Sequence, residues 1–367
     1  MKSLLLLTFF FLACSMQKLA AIGFEDAIFP ELVTSTRALA MGNAFICRVD
    51  DASAAFYNPA GLGTVRFKHL HLSNFNFETN KDILKGATSG SISDALSGFG
   101  NMFSLNGFRQ VMGTNVGDIA HARFSMLPNF TMRYLTVGYM LAKRMRATVA
   151  NTSSTGFEYA DRTDTGPYAA INLSLFGGIL KFGVTGVLMY RSEVTGTADP
   201  SQSLSIASSQ YKKGTTVYSV AGARLTFPFV LLPTFALKMH NVFGNGFYGT
   251  SGAGAPATIP QSIDAGFSIT PQIGQSTRLH VEFNYKDLTG TSSGVSMVRR
   301  MLLGMELDFS RTFFLRLGYG DGFGSGGIGI RSTNLEFDVT TYAVDTTSSA
   351  FRGAEDRRFV LGFSSGF

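Results

Sequence analysis

Apolar and polar residues alternate one for one along segment after segment of this chain, and that rhythm most narrows what it can fold into. Leu279, Val281, Phe283 and Tyr285 alternate with His280, Glu282, Asn284 and Lys286. Leu335, Phe337 and Val339 alternate with Asn334, Glu336, Asp338 and Thr340, and Ile263, Ala265, Phe267 and Ile269 with Ser262, Asp264, Gly266 and Ser268. Ile171–Leu175 and Leu135–Leu141 repeat the pattern. Period two is the signature of a strand with one face for oil and one for water. Past the first residues, no run of 18 uninterrupted apolar residues recurs; the richest, Leu225 to Leu237, is broken by Pro228 and Pro233. A helical membrane span needs about 20 such residues, so the fold is expected to be all-β.

Alternation alone does not decide between a soluble sandwich, with its apolar face inside, and a transmembrane barrel, with its apolar face on lipid. Charged residues make up 15% of the chain, against about 25% in soluble domains. Aromatic and glycine content is high, with 34 Phe and 41 Gly, which suits a wall that faces lipid. The net charge of +6 is scattered, so no nucleic-acid partner is expected.

The start of the chain indicates export. Met1-Lys2-Ser3 precedes an apolar run from Leu4 to Ala13 interrupted by Thr8, too short to span a bilayer but of signal-peptide length. Residues 1–21 are therefore expected to be a signal peptide, with cleavage after Ala21 or Ser15. Leu12-Ala13-Cys14 partly matches a lipoprotein box, with Phe11 where Leu is usual. If Cys14 leaves with the leader, Cys47 is the one cysteine remaining, which excludes an intramolecular disulfide and suits a small residue packed in the interior.

At the other end, Phe359, Leu361, Phe363 and Phe367 share one face, with Val360, Gly362, Ser364 and Gly366 on the other. A closing strand with a terminal aromatic resembles the signal by which outer-membrane assembly machinery recognises its clients, and Phe363 and Phe367 are its candidate residues. Closure removes every edge, so no backbone group is left unpaired in lipid.

Fifteen strand segments can be traced, near 64–76, 121–131, 132–142, 143–150, 155–161, 166–176, 179–193, 211–228, 233–244, 261–273, 277–289, 297–309, 312–320, 326–343 and 356–367. Single-chain bacterial barrels have even strand numbers, so the expectation is about 14. With this tracing, five strands separate the loops at 245–260 and 344–356, which places them on opposite sides. Residues 24–63 lack alternation. Asp50 or Asp51 could cap a short helix through Ala52, Ala54, Ala55 and Phe56, ended by Asn58-Pro59 because the residue before proline is driven out of helical geometry. Residues 78–120 read as a large loop with short helices at Asp82–Lys85 and Ser93–Leu96.

Arg37-Ala38-Leu39-Ala40-Met41-Gly42-Asn43-Ala44, Asp50-Asp51-Ala52-Ser53-Ala54 and Asn58-Pro59-Ala60-Gly61-Leu62 resemble the N-terminal signature of the FadL/TodX superfamily of long-chain fatty acid and hydrocarbon transporters. PorV-type outer-membrane proteins look similar over the same stretch. The resemblance implies a roughly 14-stranded antiparallel barrel over residues 64–367, with residues 22–63 folded inside as a plug. Its signature residues are Arg37, Met41, Gly42, Asp50 and Asp51, with Asn58, Pro59, Ala60 and Gly61 as the gating motif. It further implies passive uptake of a hydrophobic small molecule across the bacterial outer membrane, with no cofactor and no metal. The PorV likeness keeps open a structural or assembly barrel that docks a secreted protein partner through loops 78–120 and 245–260. A general diffusion porin is the third reading.

Other motifs point to structure rather than chemistry. Gly322-x-Gly324-x-x-Gly327 matches a dinucleotide fingerprint by letter but joins two strands and opens no helix. His69 and His71 share one side of the first strand without a carboxylate or thiol nearby in sequence. His280, Glu282, Lys286, Arg316, Glu336 and Asp338 are expected to point into the lumen and form a cross-strand ion-pair ladder. No spacing typical of a nucleophile, base and orienting residue is present, so the chain is not expected to be an enzyme.

Overall fold

The computed structural model describes residues 26, 28–65, 69–87, 103–113, 115–291, 294–347 and 351–366. Phe367, the first 25 residues and Ser93–Leu96 lie outside them, and with them the signal peptide and one expected helix.

The chain forms a closed antiparallel barrel of fourteen strands. They are β1 (His69–Asn80), β2 (Ile119–Met126, resuming as Asn129–Met132), β3 (Leu135–Val149), β4 (Phe157–Leu175), β5 (Leu180–Ala198), β6 (Lys212–Thr226) and β7 (Thr234–His240). Then come β8 (Ser262–Ile269), β9 (Thr277–Tyr285), β10 (Met301–Phe309), β11 (Phe313–Gly320), β12 (Phe323–Arg331), β13 (Leu335–Asp345) and β14 (Glu355–Gly366). The two pieces of β2 are one strand, because both lie between β1 and β3. A short flap, Tyr248–Gly252, pairs with the upper part of β6. The barrel closes where β14 meets β1, with Phe363 opposite Phe75 and, on its other side, opposite Phe337.

Three boundaries differ from the sequence tracing. The 132–142 and 143–150 segments are one strand, β3, and 155–161 and 166–176 are one strand, β4. The 326–343 segment is two strands turning at 332–334. Six strands therefore separate the 245–260 and 344–356 loops, which lie on the same side, correcting the expected opposite placement. All long loops, including 81–118 and 286–300, share that upper end, while the lower end has shorter turns such as 176–179, 310–312 and 332–334.

The wall is turned inside out relative to a soluble protein. Leu173 is 59% exposed on the outside, along with Leu188, Leu237, Leu303, Leu317 and Ile330, while Arg316 and Arg358 are buried inside. At the upper end the outer face changes partner. There Met145, Ala147, Val149, Phe157, Tyr159 and Val194 are covered by protein. The cover is α3 (Lys81–Ala87) and α4 (Leu105–Met112), which follow the short helices α1 (Thr36–Ala40) and α2 (Ala54–Tyr57) in the chain, and it packs through Ile83, Leu105, Phe108 and Met112. Ser104 caps α4 by accepting from Gly107 N at 3.0 Å, and its apolar residues fall on one stripe. The large loop expected at 78–120 thus packs helices on the outer wall of β2–β5.

Candidate functional site

The N-terminal segment fills the lumen, and nearly every described side chain from Thr36 to Val65 is buried. A one-turn helix, Thr36–Ala40, ends in a sharp reversal with Gly42 and Asn43 both at positive φ. A Cβ on Gly42 would lie 2.5 Å from the Tyr319 carbonyl oxygen, so the reversal needs glycine for conformation and for space. A second helix, Ala54–Tyr57, follows Asp51, whose Oδ1 accepts from Ser53 N at 2.9 Å. Asn58 then goes extended before Pro59. Its Oδ1 accepts from Ala60 N at 3.1 Å and starts the 3-10 turn Pro59–Thr64, while its Nδ2 donates to the Ile46 carbonyl at 3.0 Å. The Asn-Pro pair is thus a tie between turns of the plug, and its neighbour Ala60 accepts from Asn172 Nδ2 of β4 at 3.0 Å. Gly61 lies against the Val49 backbone.

The wall makes room for this segment with inward glycines. A Cβ at Gly222 of β6 would fall 1.9 Å from Asn58 Oδ1, at Gly183 of β5 2.2 Å from Pro59 C, and at Gly318 of β11 2.2 Å from Gly42 N. Gly266, Gly304, Gly327 and Gly362 face plug atoms at similarly forbidden distances. Plug backbone therefore meets strand backbone directly at Gly183, Gly304 and Gly318, and plug side chains seat against the other four glycines.

Between β7 and β14, and on β1 and β2, the wall holds the plug by charge. Arg37 Nε donates to Glu306 at 2.6 Å and its Nη1 to Asp50 at 2.7 Å. Glu306 also takes Arg316 at 2.9 Å, and Arg316 reaches on to Asp338. Asp26 binds Arg358 at 2.8 Å and Arg146 at 3.2 Å. Glu31 is bound by Lys286 and, at 3.3 Å, by Lys238. Burial alone would raise the Glu31 carboxyl, but these two ammoniums outweigh it and hold it well below the ordinary carboxylate range. Glu31, His240 and Asp264 offer ligand atoms within 4.8 Å of one another. Because Lys286 bridges both carboxylates, the cluster is an ion-pair junction.

The predicted inward residues His280, Glu282, Lys286, Arg316, Glu336 and Asp338 all face the lumen. Glu306 opposes Arg316 across β10–β11, and Arg331 opposes Glu336 across β12–β13, as the ladder reading expected. Glu282 does more, accepting from Cys47 N of the plug at 2.8 Å. Cys47 is a free thiol buried with Ile46 and Ala236. His71 Nδ1 is 2.8 Å from Ser364 Oγ.

On β3–β6 the middle of the inner wall is apolar instead, between Arg144, Arg146, Arg162, Asp164, Arg191 and Glu193 above and Lys181 and Arg224 below. Met140, Ala142, Tyr168, Ala170, Val187, Met189, Tyr218 and Val220 pack against Phe45, Phe56, Tyr57 and Leu62 of the plug, with Phe56 edge-on to Tyr168 at 5.1 Å. Leu32, Phe247 and Ile259 continue this surface upward. There it meets a cleft, partly open to solvent, lined by Pro30, Leu32, Tyr218, Ile259 and Pro260 with Arg191, His240 and Lys286 among its polar groups. The β6–β7 ladder stops at Val220–His240; above it β6 is accompanied by the β7–β8 loop, through Val242 N on the Ser219 carbonyl at 3.3 Å, Asn245 Nδ2 on the Val217 carbonyl at 3.2 Å and the short flap.

No protein-family model matches the sequence, and no curated protein does. Solved structures do. A Pseudomonas aeruginosa FadL homologue superposes with TM-score 0.50 at 10% identity, over 94% of this chain and 99% of that one. The chain has the FadL/TodX-type barrel fold. The Ralstonia pickettii toluene transporter TbuX (TM-score 0.52, 11% identity, 93% and 100% covered) and the CymD monoaromatic hydrocarbon channel (0.55, 9%, 93% and 98%) share it. Within this FadL-type fold, sequence reasoning missed the glycine ring, Glu306 and the apolar half of the wall. Glycines on the polar parity of otherwise alternating strands, such as Gly304, Gly318 and Gly362, are the signal that marks the ring.

Proposed function

We propose that the chain is a bacterial outer-membrane channel for passive uptake of small hydrophobic molecules, such as long-chain fatty acids, with the N-terminal plug as its gate. The observation that carries this reading is one continuous apolar surface, from the upper cleft at Leu32, Tyr218 and Ile259 down β3–β6 to Met140 and Phe56. A hydrophobic solute moving along it keeps apolar contact while the charged wall opposite holds the plug in register. Supporting it, the short turns and long loops are distributed as in outer-membrane barrels, and the neighbours of the same fold are named as toluene and monoaromatic hydrocarbon transporters. The reading involves no chemical step and no cofactor. The porin alternative finds less support, because plug atoms lie hard against inward glycines of seven strands. The assembly-partner alternative draws on loops that here pack on the barrel itself, as α3 and α4 on the outer wall and as the 248–252 flap on β6.

The test is uptake of a labelled fatty acid and of labelled toluene into proteoliposomes, comparing wild type with Met189→Asp. A charge placed on the apolar path should cut uptake by about tenfold or more, while the barrel keeps its heat-modifiable migration. Equal uptake in the two would sink the path assignment.

A further inference from the structure

The lumen is populated with buried cations, and nearly all are matched. Arg123, Arg146, Arg162, Arg191, Lys238, Lys286, Arg299, Arg300, Arg316 and Arg358 each have a carboxylate within 4.0 Å. Lys181 and Arg224 break the rule. They are direct partners across β5–β6, both inward and both at least nine-tenths buried, at the lower end of the apolar wall. No described carboxylate reaches either within salt-bridge distance. Like charges placed directly opposite on neighbouring strands are destabilising, and a buried charge without a partner is costlier still. Arg224 Nε has no hydrogen-bond partner, and its Nη1 makes only a long contact, 3.4 Å, with Thr64 Oγ1 of the plug. Lys181 Nζ donates to the Gly178 carbonyl in the β4–β5 turn, leaving further N–H groups uncommitted.

The surroundings indicate what would fill such a site. The turn that carries Gly178 also presents Phe176, 75% exposed. It is hydrogen-bonded to the next strand through Thr226 N and the Ile179 carbonyl. The neighbouring 227–233 turn exposes Phe229 and Val230, the latter at 91%. Turns on the far side of the lower rim, Ser310-Arg311-Thr312 and Ser332-Thr333-Asn334, are polar. A cation pair without a carboxylate partner therefore sits beside an exposed apolar stretch of the lower rim, Phe176, Phe229 and Val230, a combination that matches an amphiphile better than a free anion.

We propose that Lys181 and Arg224, with Thr64, form an oxyanion site at the lower mouth that binds the carboxylate or phosphate head group of an amphiphile. The site deepens the uptake reading by adding a head-group station beneath the plug, but head-group binding stands without it. The head group comes either from a transported amphiphile or from a lipid of the lower leaflet.

The experiment uses full-length barrel in nonionic detergent and isothermal titration with hexanoate, hexyl phosphate, 1-hexanol and inorganic phosphate, alongside native mass spectrometry for retained phosphatidylglycerol. Wild type should bind hexanoate or hexyl phosphate more tightly than 1-hexanol. Lys181→Gln/Arg224→Gln should weaken the two anions by about tenfold and leave 1-hexanol unchanged. Phosphatidylglycerol retained by wild type and lost from the double variant, without hexanoate binding, would support the site and assign it to lipid. Equal anion binding by wild type and double variant would overturn it, and inorganic phosphate binding as tightly as hexyl phosphate would overturn its amphiphile character. Thr64→Val is the milder variant, expected to weaken hexyl phosphate with the cation pair intact. Because no transport is measured, failure of this proposal is distinguishable from failure of the uptake reading.

Discussion

Two arcs of the inner wall face the same plug with different chemistry. On β3–β6, Met140, Tyr168, Val187, Met189, Tyr218 and Val220 meet the aromatic side of the plug. From β7 around to β14 and on to β2, Lys238, Glu282, Glu306, Arg316, Arg358, Glu78 and Arg123 meet or surround its charged residues. Apolar contact is non-directional and scales with area, so a surface held that way can slide or admit a third apolar body at little cost. Buried ion pairs are directional, and losing one partner strands the other. Under the proposed gating, the difference would place the yielding side of the plug along the apolar middle of β3–β6, with the charged arc as its hinge.

Five measurements break or sharpen this contrast. The largest effect is expected for Glu306→Ala, which removes the buried carboxylate that Arg37 and Arg316 share and leaves them only Asp50, Asp51 and Asp338. It should cost about 3–5 kcal/mol, seen as a lower thermal midpoint and a protease-sensitive 28–65 segment. If it costs no more than a truncation on the apolar arc, the assignment of the hinge fails. Met189→Ala is that comparison, expected at about 2 kcal/mol and with the plug still protected. Gly318→Val pushes a side chain into the Gly42 backbone and should cost about 1–3 kcal/mol by overpacking. Protease protection of residues 28–65 reads it, and full protection would mean the glycine ring is not what seats the plug. The smallest effects come from Asn58 and from pH. Asn58→Ala removes the cap on Pro59–Thr64 for about 1 kcal/mol, and a drop in uptake well beyond that loss of stability would mark a gating role.

The pH effect follows from Glu31. Its folded pKa is depressed, so its contribution is present at neutral pH and above the unfolded carboxylate value of about 4.3. It is lost as pH falls below that towards the folded value. A thermal midpoint that declines only under acid conditions, with a smaller decline in Glu31→Gln, is the expected result; a decline between pH 8 and 6 would contradict it.

How much of this was legible in the sequence depended on how long a strand keeps lipid on one side. Alternation marked the strands wherever Leu, Phe and Ile alternate with polar residues. It failed where β3 leaves the lipid band. Lys143-Arg144-Met145-Arg146 reads as a charged break, yet the ladder continues because α4 rather than lipid covers Met145. It failed again at Arg162-Thr163-Asp164-Thr165, which the tracing leaves between two segments but which lies within β4, paired with Arg144 through Leu141. At 332–334 the tight turn was too short to interrupt the pattern. Each error shifts the count by one, and together they return an even number.

The sequence by itself determined the all-β character, the apolar-out wall and the compact, non-alternating N-terminal segment, because local period and composition dictate which faces meet lipid. Which inward glycines touch the plug, that Arg37 pairs with Glu306 269 residues away, and that the apolar inner residues of four strands line up as one arc were decided only by the tertiary structure. Register and closure set those neighbours, and no stretch of sequence records its distance to another.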